Sequence, residues 1–121
     1  MKIKKHKNLE YMNYKGKSMQ LDLYVPDSDK ALPLIIWIHG GAWQEGNRNW
    51  KEPAAMAQLR RGFALASITY SLSDEAKWPV QGIQIKTAIS FLRLNSKKFS
   101  LNPDKFISWG NSAGGHLASI I

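Results

Sequence analysis

The chain has 121 residues, of which 44% are apolar and none is cysteine. That suits one globular domain with a modest core and excludes disulfide staples and thiolate metal sites. Seventeen basic against nine acidic residues give a formal net charge of +8, yet no apolar run approaches the roughly 18 residues of a membrane span, so no span is expected. Residues 1–18 read as a basic arm and a first strand. Lys2, Lys4, Lys5, Lys7, Lys15 and Lys17, with His6 among them, concentrate the charge. No apolar segment follows them as in a secretory signal, so a cytoplasmic location is expected. Such an arm can attract phosphate-bearing polymers or anionic lipid. It lacks a stacking platform, zinc-finger spacing and a basic helix, so a solvated terminus and no nucleic-acid partner are expected.

Residues 19–121 alternate strand and helix patterns. Asn8 to Tyr14 is a weak strand, and Leu21, Leu23 and Val25 alternate with Asp22 and Tyr24 in a second that ends at Pro26-Asp27. Leu34-Ile35-Ile36-Trp37-Ile38 is an unbroken apolar run, as in a strand buried on both faces. A polar loop follows, then a helix from Pro53 to about Arg61, ended by Gly62. Ala64 to Tyr70 is a further buried strand. Ser71 to Trp78 is a loop, and Pro79 opens a long helix with Val80, Ile83, Thr87, Phe91 and Leu94 on its apolar stripe, widened by Ile85, Ile89 and Leu92. Leu101 to Asp104 is a turn capped by Asp104. Phe106 to Trp109 is a buried strand that runs into a sharp turn, Gly110 to Gly115, and a last helix. This is an α/β pattern, a mostly parallel sheet with right-handed crossovers and an antiparallel flank from the first two strands.

Gly110-Asn111-Ser112-Ala113-Gly114, directly after an apolar strand, is Gly-x-Ser-x-Gly in strand–turn–helix context. The geometry of such an elbow explains the spacing. The serine backbone is strained so that its hydroxyl projects from the turn, and strand and helix come so close at Gly110 and Gly114 that a β-carbon would clash. The amides that begin the helix at Ala113 face any anion forming on a substrate. His39-Gly40-Gly41-Ala42-Trp43 follows the central strand and supplies the other amides of an oxyanion hole, those of Gly41 and Ala42. Ser112 is thus the candidate nucleophile.

The segment from Leu21 onward resembles the hormone-sensitive-lipase-like esterases of the α/β-hydrolase fold, and among them the feruloyl and acetyl-xylan esterase type. The likeness rests on Leu21-Asp22-Leu23-Tyr24, Trp37 to Trp43, Arg61-Gly62-Phe63-Ala64, Tyr70-Ser71-Leu72-Ser73, Trp78-Pro79, Asn102-Pro103-Asp104 and Gly110 to Ser119. It implies hydrolysis of small carboxylic esters through an acyl-enzyme, without metal or organic cofactor. It also makes His39 a loop brace and His116 a structural part of the helix start. Two positions depart from the pattern: Ser71 stands where the family usually has Arg, and Gln84 where an acidic residue is common.

In this class the triad acid and histidine follow the serine. Neither fits into the few residues after Gly114, so the chain is expected to be an N-terminal portion, inactive alone. Asp74 and Glu75 read as surface charges, and Trp43 and Trp50 either line the pocket or pack on the scaffold. A non-catalytic binding remnant of the fold and a basic adaptor for nucleic acid or membrane are the alternatives. With no strand after it, Phe106 to Trp109 would be an open edge with a capacity for self-association.

Overall fold

A computed structural model describes residues 2–38, 56–71 and 79–110. Five strands, β1 (Ile3–Tyr14), β2 (Lys17–Pro26), β3 (Leu32–Ile38), β4 (Ala64–Ile68) and β5 (Leu101–Gly110), form one sheet in the order β1-β2-β4-β3-β5. A short 3-10 helix, Gln58–Arg61, precedes β4, and a helix α1, Val80–Leu94, joins β4 to β5. The pairings β3–β4 and β3–β5 are parallel, whereas β1–β2 and β2–β4 are antiparallel. The expected α/β architecture with an antiparallel flank is therefore present.

The basic arm is not a solvated tail. From Ile3 onward it is the outer strand β1, paired with β2 along its length. Its exposed Lys4, Lys5 and Lys7 stand on that outer strand, where charge discourages pairing with a further chain. Lys15 and Gly16 turn the hairpin with φ of 51° and 84°, and the Asn13 side chain accepts the Gly16 N–H at 3.0 Å. Two positive φ values suit the tight turn that matches strand twist. Within β1 the register slips between His6 and Leu9, where Asn8 adopts φ 57°. The buried Asp22 carboxylate holds this bulge: it accepts the Asn8 N–H at 2.9 Å and lies 3.1 Å from the Lys7 ammonium.

Side-chain alternation splits β3 between two cores. Leu34, Ile36 and Ile38 pack with Ile85, Ala88 and Leu92 of α1, while Ile35 and Trp37 pack with Leu59, Leu65 and Tyr24 on the other face. The unbroken apolar run thus reflects a strand covered on both sides, as expected. Gly62, at φ 88°, ends the 3-10 helix. Its N–H reaches Leu59 O and that of Phe63 reaches Gln58 O, which is the glycine-terminated cap predicted for this position.

Four local expectations are corrected. The buried face of α1 is Gln81, Gln84, Ile85, Ala88 and Leu92, while Ile83 is 55% and Leu94 87% exposed. The widened stripe holds at Ile85 and Leu92, which are buried, and at Ile89 and Phe91, which pack against the core, but Ile83 and Leu94 face outward and two buried glutamines take part of the inner face. Strand β4 ends at Ile68 rather than Tyr70. The turn at Leu101 to Asp104 is a bulge inside β5: Leu101 pairs with Leu32 and Phe106 with Leu34, so the intervening residues leave the ladder. Asn102, not Asp104, caps it, its side chain accepting the Asp104 N–H at 3.0 Å. Finally, Phe106 to Trp109 is not buried, and Ile107 is 47% exposed. An apolar strand is buried only if it has neighbours, and among the described residues β5 is the outer strand beside β3.

Candidate active site

Ile38 ends β3 and Gly110 ends β5, and these two residues are register partners in the parallel ladder. The His39 motif and the Ser112 motif therefore leave the sheet from adjacent strands at the same, carboxyl end. Open parallel sheets bind their ligands beyond the carboxyl ends of the strands, with neighbouring strands about 4.8 Å apart. Just inside the sheet, Trp37 and Trp109 meet edge to face with centroids 6.4 Å apart, fixing the last turn of the ladder before both motifs. Of the predicted site residues, Gly110 is described, as the final residue of β5. His39, Gly40, Gly41, Ala42, Ser112, Ala113 and Gly114 lie outside the described residues, as do Trp43, Trp50, Asp74, Glu75 and His116.

The exit of β4 lies at this same end, since Ile68 is level with Ile38. Three elements hold its path. The Thr69 N–H donates to Gln20 O at 2.9 Å, and the Tyr11 hydroxyl donates to the Thr69 carbonyl. The third is a reciprocal pair: the Ser71 N–H donates to Gln84 Oε1, and Gln84 Nε2 donates to Ser71 Oγ, both at 2.7 Å. Ser71 and Gln84 are fully buried. The two departures from the family pattern are thus a single contact. A side chain that could carry a cation and one that could carry an anion are both neutral here, and they satisfy each other. Sequence reasoning noted the positions but missed their pairing; the signal was that opposite charges are absent together.

Burial raises the phenol pKa of Tyr11, and that of Tyr70 to about 12. Both therefore stay protonated and uncharged at neutral pH. At this end of the sheet Tyr11, Thr69, Tyr70, Ser71 and Gln84 are uncharged. In such surroundings the interaction of a dipole with a developing charge is strengthened.

The fold and the paired strand ends are those of the α/β-hydrolase class, and solved structures agree. The chain superposes with a TM-score of 0.82 at 28% identity on an acetyl ester-xyloside bifunctional hydrolase from Caldicellulosiruptor lactoaceticus, covering 93% of this chain and 44% of that one. A truncated carbohydrate esterase from gut microbiota is 34% identical, with a TM-score of 0.81 over 96% of this chain and 42% of that one. The BD-FAE family profile matches residues 21–121, and the chain belongs to that family. Among curated relatives, the Esterase LipC of Mycobacterium tuberculosis is 35% identical over 75% of this chain and 23% of its own length. The Probable carboxylic ester hydrolase LipM of the same organism is 32% identical over 93% of this chain and 27% of its own length. The chain thus spans about a quarter of the length of these relatives. Among the described residues no helix is long and apolar enough to cross a membrane.

Proposed function

We propose that residues 19–121 are the N-terminal part of an α/β-hydrolase domain that cleaves small carboxylic esters with Ser112 as nucleophile. The observation that carries this is the register pairing of Ile38 with Gly110, which starts the two motifs side by side. In the proposed reaction Ser112 Oγ attacks the ester carbonyl. The amides of Gly41, Ala42 and Ala113 stabilise the oxyanion, each donor contributing about 2.7–4 kcal/mol. The alcohol leaves, and water then releases the acid from the acyl-serine. His39, Gly40, Gly110 and Gly114 shape the two loops. The proton-accepting histidine and its carboxylate come after the serine in this chain order. Residues 115–121 hold one histidine, His116, and no acidic residue, so the histidine and carboxylate partners of Ser112 are proposed to come from elsewhere in the protein.

The test is labelling with a fluorophosphonate probe followed by peptide mapping. An active protein containing this chain should be modified at Ser112 and lose ester hydrolysis in step. Modification elsewhere with loss of activity would reject Ser112. Residues 1–121 by themselves should hydrolyse p-nitrophenyl acetate no faster than a nonspecific protein surface. Saturable turnover by that segment, lost in Ser112→Ala, would show that a base lies within it, His116 first among the candidates.

The same segment is proposed to self-associate through β5. Lysines guard the β1 edge, but β5 offers Ile107 at 47% exposure and half-buried Phe106 and Trp109. At micromolar concentration, size-exclusion chromatography of residues 1–121 should show oligomers, and Ile107→Lys should shift them toward monomer. A monodisperse unsubstituted monomer with a sharp melting transition would overturn this.

A further inference from the structure

At the opposite end of the sheet a pocket of about 90 Å³ opens between the start of β1, the end of β2 and the turn after α1. That is several times the roughly 10–15 Å³ one water requires. Because β1 runs parallel to β3, β4 and β5, this is the amino end, remote from Ile38 and Gly110. Its lining brings together Lys4, His6, Asp27, Ser28, Lys98 and Phe99. The buried Phe99 ring organises the basic groups: the His6 ring meets it edge-on at 4.9 Å between centroids, and the Lys98 ammonium lies 5.5 Å from its centroid. The turn is rigidly bonded. Phe99 N–H reaches Asn95 O at 3.1 Å, Leu32 N–H reaches Ser100 O at 2.9 Å, and Ser100 adopts φ 58°. The Ser28 hydroxyl accepts the Lys30 N–H at 3.0 Å, which leaves its own proton to donate.

Among the described residues neither Lys4 nor Lys98 forms an ion pair with a carboxylate. Two unneutralised ammonium groups, an imidazole and a hydroxyl donor converge on one concavity, against the single carboxylate of Asp27. We infer that this pocket is a binding site for a small tetrahedral oxyanion of the phosphate class, as free ion or as the terminal group of a small phosphomonoester. The state of His6 is consistent: partial burial, then the charges of Lys4 and Lys98, hold its pKa below the ordinary value. An anion between those lysines would cancel the repulsion and favour the imidazolium, a third donor.

The experiment uses the protein that carries this chain. Sulfate and inorganic phosphate are titrated by calorimetry, and the His6 imidazole is followed by NMR against pH, assigned with His6→Gln. Sulfate matters because it does not itself titrate near neutrality. Both ions should bind and raise the His6 pKa. Binding should fall roughly three- to tenfold in Lys98→Gln and in Lys4→Gln, and weaken further with added salt. Both lysines are exposed, so the variants should keep the fold; an unchanged melting temperature checks this. A glycerol phosphate arm separates the sources: binding comparable to phosphate assigns the site to esterified phosphate, and binding of the inorganic ions alone assigns it to the free ion. No His6 shift with either ion, or affinity unaltered in the Lys4→Gln/Lys98→Gln double variant, overturns the proposal. Ester hydrolysis is not the readout, so failure of the Ser112 assignment would leave this result standing.

Discussion

Replacing Ser112 by Ala in an active protein containing this chain is expected to lower kcat by about a millionfold, the scale of losing the nucleophile in serine-triad enzymes. The remaining activity would be that of the oxyanion donors and binding alone, about 10³–10⁴-fold over water. Steady-state kinetics with a short-chain p-nitrophenyl ester gives the number, and a melting curve shows whether the fold is kept. The expected pattern is a lost kcat with an unshifted melting temperature. A parallel fall in both would mean that Ser112 holds the scaffold. Retained kcat would mean that the nucleophile is another residue.

The second large effect is expected from the buried pair at the exit of β4. Gln84→Ala leaves the Ser71 N–H and hydroxyl without the partners that lie at 2.7 Å. Each buried polar group so orphaned costs about 1–3 kcal/mol, and the lost side chain leaves a void at a fully buried position. A total loss of about 3 kcal/mol is expected in urea unfolding, with the slope unchanged. Ser71→Ala should cost less, because it removes the hydroxyl and keeps the backbone donor bonded to Gln84. The double variant tests whether these two bonds act as one unit. A coupling of about 0.5–3 kcal/mol is expected for residues in direct contact, and additive losses would show that the pair is incidental. Neither residue is expected to touch an ester, so an effect on KM for a small substrate without a stability change would also contradict this role.

Much of the architecture was legible because the strands are apolar runs separated by strong punctuation. Leu34 to Ile38 could only be a strand covered on both faces, and Gly62 was readable as a cap because a left-handed residue is needed there. The parts that were not legible share a cause: they depend on partners far away in the chain. Gln81 and Gln84 look like surface residues in any periodic pattern, and Gln84 is buried because Ser71 offers it a donor and an acceptor. Phe106 to Trp109 has the composition of a core strand but only one described neighbour. The lysines near the N-terminus resemble a tail, yet the alternation of Leu21 to Val25 in β2 gives them a strand to pair with. The candidate site itself was legible as two motifs, but not that Ile38 and Gly110 share a rung. Register is a property of the assembled ladder, not of either segment.

That rung has a kinetic consequence. β1 and β2 are joined by a two-residue turn at Lys15 and Gly16 and can meet as soon as both are made, on the microsecond scale of hairpin formation. β3 must wait, because its partner β5 is separated from it by the whole of β4 and α1. Closing so long a loop carries an entropic cost before any contact offsets it. On a ribosome the hairpin would thus be in place while β3, apolar on both faces, still lacked the strand that flanks it on the β5 side. The pocket-forming ends of the sheet would be the last part to mature. Slowing translation between β4 and β5 should therefore prolong the exposure of β3 and raise the demand for chaperones, while leaving the finished fold unchanged.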